Sequence, residues 1–308
     1  MFVVLFPGQG SQAVGMLSAH AGGVVAETFA EASKVLGWDV WALCQQGPAD
    51  QLNRTERTQP ALLTAGVALW RLWQQQALPR PAGMAGHSLG EYTALVAADS
   101  LDFAAALRLV ELRGQLMQAA VPEGQGGMAA VIGLEDAQVE ALCAQAPAGQ
   151  VLEPVNYNAP GQVVVAGSRA ALDWLAANGK AHGARMVMPL PVSVPSHCSL
   201  MQGAAERLAE ALARTEFHTP AIPVFHNLDA QARQRAADIR VALAAQLHSP
   251  VRWTQTIEQF VHGGITQFVE CGPGKVLAGL NKRIAKDSRT LNLETPEAFA
   301  TAAEWLAA

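Results

Sequence analysis

The sequence predicts an α/β protein with a mainly parallel sheet and a second, smaller domain inserted into the first. Strand patterns and helix patterns alternate along the 308 residues, which is typical of a parallel sheet covered by helices. Half of the residues are hydrophobic, enough to bury both faces of such a sheet. One internal stretch departs from the alternation and has the order β-α-β-β-α-β, which indicates a separate small unit.

The first part of the chain predicts strands that lead into helices. The run at residues 2–6 is short, apolar and rich in β-branched and aromatic residues, so it is interpreted as a strand. Apolar residues recur at helical spacing in several of the segments that follow. After the first strand we predict helices at 24–36 and 58–76, a strand at 84–86, a helix from there to about 98, and a helix at 102–119.

The inserted unit is predicted at residues 124–193, between junctions rich in glycine and proline. Its order is that of a ferredoxin-like fold. The strands are predicted at 128–134, 150–156, 162–167 and 185–191, and the helices at 135–146 and 170–182. Residues 1–123 and 194–308 then form the large α/β domain, and 124–193 the small one. The remaining predictions are helices at 200–214, up to 247, and at 254–262, with strands at 222–225 and 268–270.

Composition and charge exclude several classes of function. Twenty-one Lys and Arg residues against 26 Asp and Glu give a net charge of −5, which provides no basic field for nucleic acid or an anionic membrane. The four cysteines are widely spaced without a C-x-x-C pair, so neither a disulfide framework nor a zinc site is indicated. No apolar stretch predicts a signal peptide or a membrane span. We expect a cytoplasmic protein with reduced thiols.

A G-x-S-x-G motif, GHSLG at residues 86–90, lies between a predicted strand and a predicted helix. In that setting a sharp turn exposes the serine hydroxyl, as in the α/β-hydrolase-like arrangement we predict for the large domain. Ser88 is therefore a candidate nucleophile, and the N–H of Leu89 at the helix start is a candidate oxyanion donor. The alternative is a structural Gly-Ser turn.

A serine nucleophile needs a base, and His197 has the best position among the eight histidines. It lies where the loop that closes the inserted unit leads into a helix. A helix N-terminus disfavours the imidazolium, so this side chain would stay neutral and accept a proton near neutral pH. The alternative is a histidine that caps the helix or forms a turn.

Arg113 occupies an inward position on the predicted helix 102–119. The apolar stripe of that helix includes Leu109, Val110, Leu116 and Met117, and Arg113 interrupts it. A buried arginine is costly without a partner. It is interpreted as a bidentate clamp for a substrate carboxylate, and the alternatives are a structural ion pair or a side chain that reaches solvent.

The turn after the first strand, FPGQGSQA at 6–13, contains G-x-G-x-x-A, which could bind a dinucleotide. Such a motif requires an acidic residue at the end of a second strand about 20 positions later. The acidic residues here, Glu27 and Glu31, lie in a predicted helix. The other use of this loop is to supply a second backbone donor to an oxyanion.

With these motifs in order, the chain resembles the malonyl-CoA:acyl-carrier-protein transacylases of fatty-acid synthesis, and more distantly the acyltransferase domains of polyketide synthases. The resemblance covers nearly the whole chain. It is carried by FPGQGSQ at 6–12, TQPALLTAGVAL at 58–69, GHSLGEYTALVAA at 86–98, ELRGQLMQ at 111–118, PEGQGGMAAVIGL at 122–134, NYNAPGQVVVAG at 156–167, LPVSVPSHCSLM at 190–201 and ECGPGKVL at 270–277.

This resemblance implies the roles of the site residues. Ser88 is the acylated nucleophile and His197 its base and acid, while Gln9 and Leu89 supply the oxyanion hole through their N–H groups. Arg113 binds the free carboxylate of the malonyl group. A main-chain carbonyl near Gln246 orients the histidine, so the site is a dyad without a third, acidic member.

The same resemblance implies a ping-pong transfer of malonyl from malonyl-CoA, which is a substrate, to acyl carrier protein. No metal or redox cofactor enters, and neither nucleic acid nor membrane is a partner. Three alternatives remain open. The carrier could belong to a polyketide synthase or a malonate decarboxylase, the chain could be a serine hydrolase or thioesterase, or it could bind NAD.

Overall fold

The computed structural model describes residues 1–192 and 194–307. Its helices and strands alternate through most of the chain. The strands are β1 (Phe2–Phe6), β2 (Gly83–Gly86), β3 (Gly126–Ile132), β4 (Leu152–Ala159), β5 (Gln162–Ser168), β6 (Met186–Pro189), β7 (Val224–Phe225), β8 (Gln267–Glu270) and β9 (Arg289–Asn292).

The helices cover the sheets or connect their strands. Short 3₁₀ turns also occur at Ser18–His20 and Ser199–Met201. The α-helices are α1 (Gly23–Leu36), α2 (Val40–Gln46), α3 (Ala49–Leu52), α4 (Thr55–Gln75), α5 (Gly90–Ala97), α6 (Phe103–Ala120), α7 (Asp136–Cys143), α8 (Arg169–Asn178), α9 (Gln202–Arg214), α10 (Ala236–Gln246), α11 (Trp253–His262), α12 (Val276–Ile284) and α13 (Pro296–Ala307). Among the described residues, no helix has the length and apolar character needed to cross a membrane.

The larger sheet has the strand order β7-β2-β1-β8-β9, and every neighbouring pair in it is parallel. Strand β1 lies at its centre and is buried throughout. Val4 and Phe6 face one hydrophobic cluster, while Val3 and Leu5 face another on the opposite side. Such burial on both faces is the property of a parallel sheet covered by helices, and it confirms the predicted fold class.

The smaller sheet has the order β4-β5-β3-β6 and is antiparallel. Together with α7 and α8 it gives the predicted β-α-β-β-α-β unit. One face packs against these two helices, and the other face carries Met128, Val155 and Val164 in a cluster with Cys198 from the following segment. The smaller sheet therefore turns one apolar face toward the chain segment that contains His197.

Backbone hydrogen bonds join strand β4 of the smaller sheet to the segment just before α11. The N–H of Tyr157 donates to the carbonyl of Val251 at 3.0 Å, and the N–H of Val251 donates to the carbonyl of Val155 at 2.8 Å. The division into domains at 124–193 stays a prediction. Its boundary residue Ser193 and the C-terminal Ala308 lie outside the described residues.

Five elements were not predicted from the sequence: α2, α3, α12, α13 and β9. Strand β9 is partly exposed at the sheet edge, so it lacks the continuous apolar run of a central strand. Helix α12 begins after a glycine-rich turn, and its first N–H groups are bound by a side chain from β8. Glu270 accepts hydrogen bonds from the N–H groups of Leu277 and Ala278, both at 2.9 Å. That cap comes from outside the helix, so no local motif marks it.

Candidate active site

Ser88 lies at the tip of a sharp turn between β2 and α5. Its φ of 52° is in the left-handed region, which side chains other than glycine rarely adopt. The turn is tight, because a Cβ on Gly86 would come within 1.9 Å of the Gly90 carbonyl carbon, and one on Gly90 within 2.1 Å of the Phe6 oxygen. The two motif glycines are thus required by close backbone approach, and the serine hydroxyl projects from the carboxyl end of the parallel sheet.

His197 contacts the serine directly. Its Nε2 lies 2.7 Å from the Ser88 Oγ, and its Nδ1 lies 2.7 Å from the main-chain oxygen of Gln246. A carbonyl can only accept, so Nδ1 carries the proton and Nε2 is free to accept one from the serine. Gln246 is the last residue of α10, where a helix leaves carbonyl groups without an intrahelical partner. The histidine ring satisfies that carbonyl.

The pKa of His197 is lowered to about 3. Burial is the largest cause, since it disfavours the charged ring, and the positive charge of Arg113 adds to it. From the sequence, a neutral histidine was predicted because a helix N-terminus disfavours the imidazolium. The side chain is indeed held neutral, but α9 begins only at Gln202, and the causes are burial and a neighbouring cation.

Arg113 points from α6 to the same hydroxyl and is 1% exposed. Its Nη2 donates to the Ser88 Oγ at 3.1 Å and to the Gln246 Oε1 at 3.0 Å, while Nη1 donates to the Gln59 Oε1 at 2.7 Å. Within the described residues it forms no ion pair, and its Nε has no hydrogen-bond partner. Both structural alternatives for Arg113, an ion pair and a side chain that reaches solvent, are therefore wrong.

Gln9 and Leu89 line the same cavity as the serine. In the part of the chain that the structure describes, neither main-chain N–H donates to a protein acceptor. The loop after β1 comes very near the serine turn, because a Cβ on Gly8 would lie 2.3 Å from the His87 oxygen. This loop is not followed directly by a helix, since α1 begins only at Gly23, so the dinucleotide motif lacks the helix N-terminus that it requires.

The cavity at these residues has a volume of about 90 Å³. Apart from the groups already described, its walls are mainly apolar. They include Met117 from α6, Met128 from β3, and Leu190, Val192 and Val194 from the segment that precedes His197. The cavity is thus small, is lined by residues from both the larger and the smaller α/β unit, and has Arg113 as the one cation among its described lining residues.

The sequence neighbours of the nucleophile and the base, His87 and Cys198, bond to other protein groups. The Nε2 of His87 lies 2.8 Å from the Asn158 Oδ1, and its ring packs against Trp253. The thiol of Cys198 is buried and donates to the Pro195 carbonyl at 3.1 Å. Burial raises the pKa of this thiol to about 12, so it is not a thiolate nucleophile.

The structure also brings three residues to the site that the sequence analysis did not single out: Gln59, Glu91 and Asn227. Gln59 binds the guanidinium of Arg113, while Glu91 and Asn227 lie beneath the serine turn. The sequence could have pointed to Glu91, because it is a charged residue in an otherwise apolar helix. Nothing in the sequence could have pointed to Asn227, since asparagine is common in turns after strands.

Comparisons with known proteins identify the family of this chain. The profile of the family described as acyl transferase domain matches residues 2–295. Malonyl CoA-acyl carrier protein transacylases from Salmonella typhimurium and Escherichia coli strain K12 are both 55% identical, over 98% of this chain and 98% and 99% of their own lengths.

Solved structures are similar over the same length. An acyl carrier protein S-malonyltransferase from Vibrio cholerae has a TM-score of 0.95 at 54% identity, covering 98% of this chain and 99% of that one. A malonyl-transacylase in complex with its type II PKS acyl-carrier protein has a TM-score of 0.97 at 51% identity, with the same coverage. The chain therefore belongs to the acyl transferase domain family, among the malonyl CoA-acyl carrier protein transacylases.

Proposed function

We propose that this enzyme transfers the malonyl group from malonyl-CoA to the phosphopantetheine thiol of acyl carrier protein, in fatty-acid biosynthesis. The observation that carries the proposal is the position of Arg113. Among the described residues this buried guanidinium has no carboxylate partner, and its Nη2 lies 3.1 Å from the Ser88 Oγ, close to where the far end of a short acyl group on that oxygen would lie. Such a cation favours an acyl group that ends in a carboxylate.

In the first half-reaction, the Ser88 Oγ attacks the thioester carbonyl of malonyl-CoA while the Nε2 of His197 takes the serine proton. The N–H groups of Gln9 and Leu89 stabilise the negative oxygen of the tetrahedral intermediate. The carbon–sulfur bond then breaks, the histidine returns the proton to the sulfur, and CoA leaves. The malonyl group remains on Ser88 as an ester.

In the second half-reaction, the pantetheine thiol of the carrier gives its proton to His197 and attacks the seryl ester. The tetrahedral intermediate collapses with the proton returned to the Ser88 Oγ. Burial of the histidine and the apolar walls of the cavity limit the access of water, which favours transfer over hydrolysis. The chemistry proposed here uses only side chains and backbone groups of the protein.

Intact-mass analysis after mixing with malonyl-CoA tests this function. We expect a mass increase of one malonyl group on the native enzyme, its loss when acyl carrier protein with a phosphopantetheine arm is added, and no adduct on Ser88→Ala. An adduct that decays at the same rate with and without the carrier would instead indicate a hydrolase or thioesterase.

The acyl carrier protein of a polyketide synthase is a second candidate for the carrier. The similar malonyl-transacylase of known structure is bound to a type II PKS acyl-carrier protein. The same serine chemistry would serve that carrier, because the thiol that attacks the ester sits on the same prosthetic arm. Competition between a fatty-acid carrier and a polyketide carrier for the malonylated enzyme would distinguish the two pathways by their relative kcat/KM.

A further inference from the structure

The carboxylate of Glu91 lies directly beneath the serine turn, and the proposed reaction does not yet use it. Glu91 belongs to the first turn of α5 and is fully buried. Its Oε1 accepts a hydrogen bond from the Nδ1 of His226 at 2.6 Å. Its Oε2 accepts two, from the Asn227 N–H at 2.8 Å and from the Gln246 Nε2 at 3.0 Å. A buried carboxylate with this many donors fixes the groups around it.

The first of the Oε2 contacts leads to the N–H of the nucleophile. Asn227 is fully buried, and its Oδ1 accepts from the Ser88 N–H at 2.7 Å. Its Nδ2 donates to the Gly86 carbonyl at 2.7 Å. The Asn227 side chain thus bridges the turn between Gly86 and Ser88, and Glu91 holds the Asn227 backbone.

The second Oε2 contact leads to the other groups of the site. The Gln246 Nε2 donates both to Glu91 and to the Ser88 carbonyl, the latter at 3.0 Å. The Oε1 of the same amide accepts from Arg113, and the Gln246 main-chain oxygen accepts from His197. One glutamine therefore connects the carboxylate to the nucleophile, the base and the cation.

We propose that Glu91 is a positioning residue for the acylation of Ser88. Through Asn227 and Gln246 it fixes the peptide groups on both sides of the serine, whose left-handed φ a free turn would not maintain. Through Gln246 alone it also fixes the carbonyl that orients the histidine. The proposal rests on the proposed function, since its measure is the rate of malonyl transfer to Ser88.

Two substitutions of Glu91 distinguish the effect of its side-chain length from the effect of its charge. Glu91→Gln keeps the length, and its carbonyl oxygen in the Oε2 position still accepts from Asn227 and Gln246. Its amide group then faces the Nδ1 of His226, which accepts in the other tautomer. Glu91→Asp keeps the charge, but its side chain is one methylene shorter and cannot reach both Asn227 and Gln246.

The experiment measures single-turnover malonylation of Ser88 with malonyl-CoA, by rapid quench and intact mass. The amplitude reports how much protein is folded, whereas the rate constant reports the geometry of the site. Because misplacement by about 1 Å costs on the order of 10²-fold, we expect Glu91→Ala and Glu91→Asp to lower the rate constant by about that factor. Glu91→Gln should retain most of the native rate.

His226→Leu is the matched control. Among the described residues, the His226 side chain hydrogen-bonds to Glu91 and to none of Ser88, His197 and Arg113, and the variant leaves both Oε2 hydrogen bonds in place. We expect a lower midpoint of thermal unfolding with an unchanged rate constant.

Two results would overturn the proposal. One is a Glu91→Asp variant as fast as the native enzyme beside a slow Glu91→Gln, which would show that only the buried charge matters. The other is equal slowing by His226→Leu. If Glu91→Ala does not fold, the Asp and Gln pair still decides. A native enzyme that takes up no malonyl group would contradict the proposed function itself, which is a separate outcome.

Discussion

The guanidinium of Arg113 and the hydroxyl of Ser88 are joined by a hydrogen bond of 3.1 Å, although Arg113 lies inside α6 and Ser88 lies in the turn before α5, 25 positions apart in sequence. The arginine donates, so the hydroxyl keeps its own proton for the Nε2 of His197. The same cation lowers the histidine pKa. One residue is therefore placed to affect both the nucleophile and its base, in addition to the carboxylate that we propose it binds.

Replacement of Arg113 by alanine should separate malonyl from acetyl transfer. Loss of one partner of a buried charge pair costs about 2 to 5 kcal/mol, so we expect kcat/KM for malonyl-CoA to fall by at least about 30-fold. Acetyl-CoA has no carboxylate and should lose much less. Parallel assays with both thioesters measure the difference.

Arg108→Ala is the control for that variant, because Arg108 lies on the exposed face of the same helix. It should leave both activities unchanged. Equal losses of malonyl and acetyl transfer in Arg113→Ala would show that the arginine supports the structure of the site and does not select the substrate.

The acid limb of the pH–rate profile should lie at an unusually low pH. His197 accepts a proton only when neutral, and its pKa of about 3 keeps it neutral at any pH well above that value. We expect kcat/KM for acetyl-CoA to show no fall from pH 8 to pH 5. In Arg113→Ala the acid limb should move up toward the ordinary histidine range, because a nearby positive charge has been removed. A native profile with its acid limb near pH 6.5 would contradict this.

The glycines of the serine turn should tolerate no side chain. A Cβ on Gly90 would lie 2.1 Å from the Phe6 oxygen, in the rigid centre of the sheet. Since overpacking of a core typically costs about 1 to 3 kcal/mol and sometimes more, Gly90→Ala should lower the free energy of unfolding by at least that amount.

The matched control is Gly279→Ala, in the exposed middle of α12, where a Cβ would meet nothing within 4 Å. It should stabilise the protein by about 0.5 to 1 kcal/mol, the helix preference for alanine over glycine. Urea unfolding of both variants checks the prediction. Similar effects of the two substitutions would show that the turn is less constrained than its contacts indicate.

Glu270 should make stability depend on pH. Burial raises the pKa of this carboxyl to about 7, although two backbone N–H groups oppose the shift. The unfolded value is about 4.3, so the native state binds more protons between these two values. The free energy of unfolding contributed by this group is therefore greatest below pH 4.3 and is lost as the pH rises through 7.

Glu270→Gln removes that titration. Urea unfolding at pH 5 and pH 8 should give a smaller difference between the two pH values in the variant than in the native protein. The variant will be less stable at pH 5, because the amide cannot accept from both Leu277 and Ala278 as the carboxyl group does. An unchanged pH difference would show that other groups cause it.

The central elements and two of the principal site residues, Ser88 and Arg113, were predictable because their signals are local. The turn at Ser88 is indicated by Gly86 and Gly90 on either side of it. Arg113 is conspicuous because it interrupts an apolar stripe within one helix. His197 was only one of several possible bases by position. Its role, and those of Gln9 and Gln246, followed from the resemblance of whole motifs to a known family.

The sequence by itself determined the alternation of strands and helices in most of the chain, the β-α-β-β-α-β order of the smaller unit and the candidate nucleophile, since periodicity and turn chemistry act over a few residues. Only the tertiary structure decided what surrounds the nucleophile. The parallel order β7-β2-β1 places Asn227, Ser88 and Gln9 at one edge, although more than 200 positions separate the first from the last. The acceptor for His197 is a main-chain carbonyl, which every residue possesses. Contacts of that kind depend on where a helix ends in space, and no residue type encodes them.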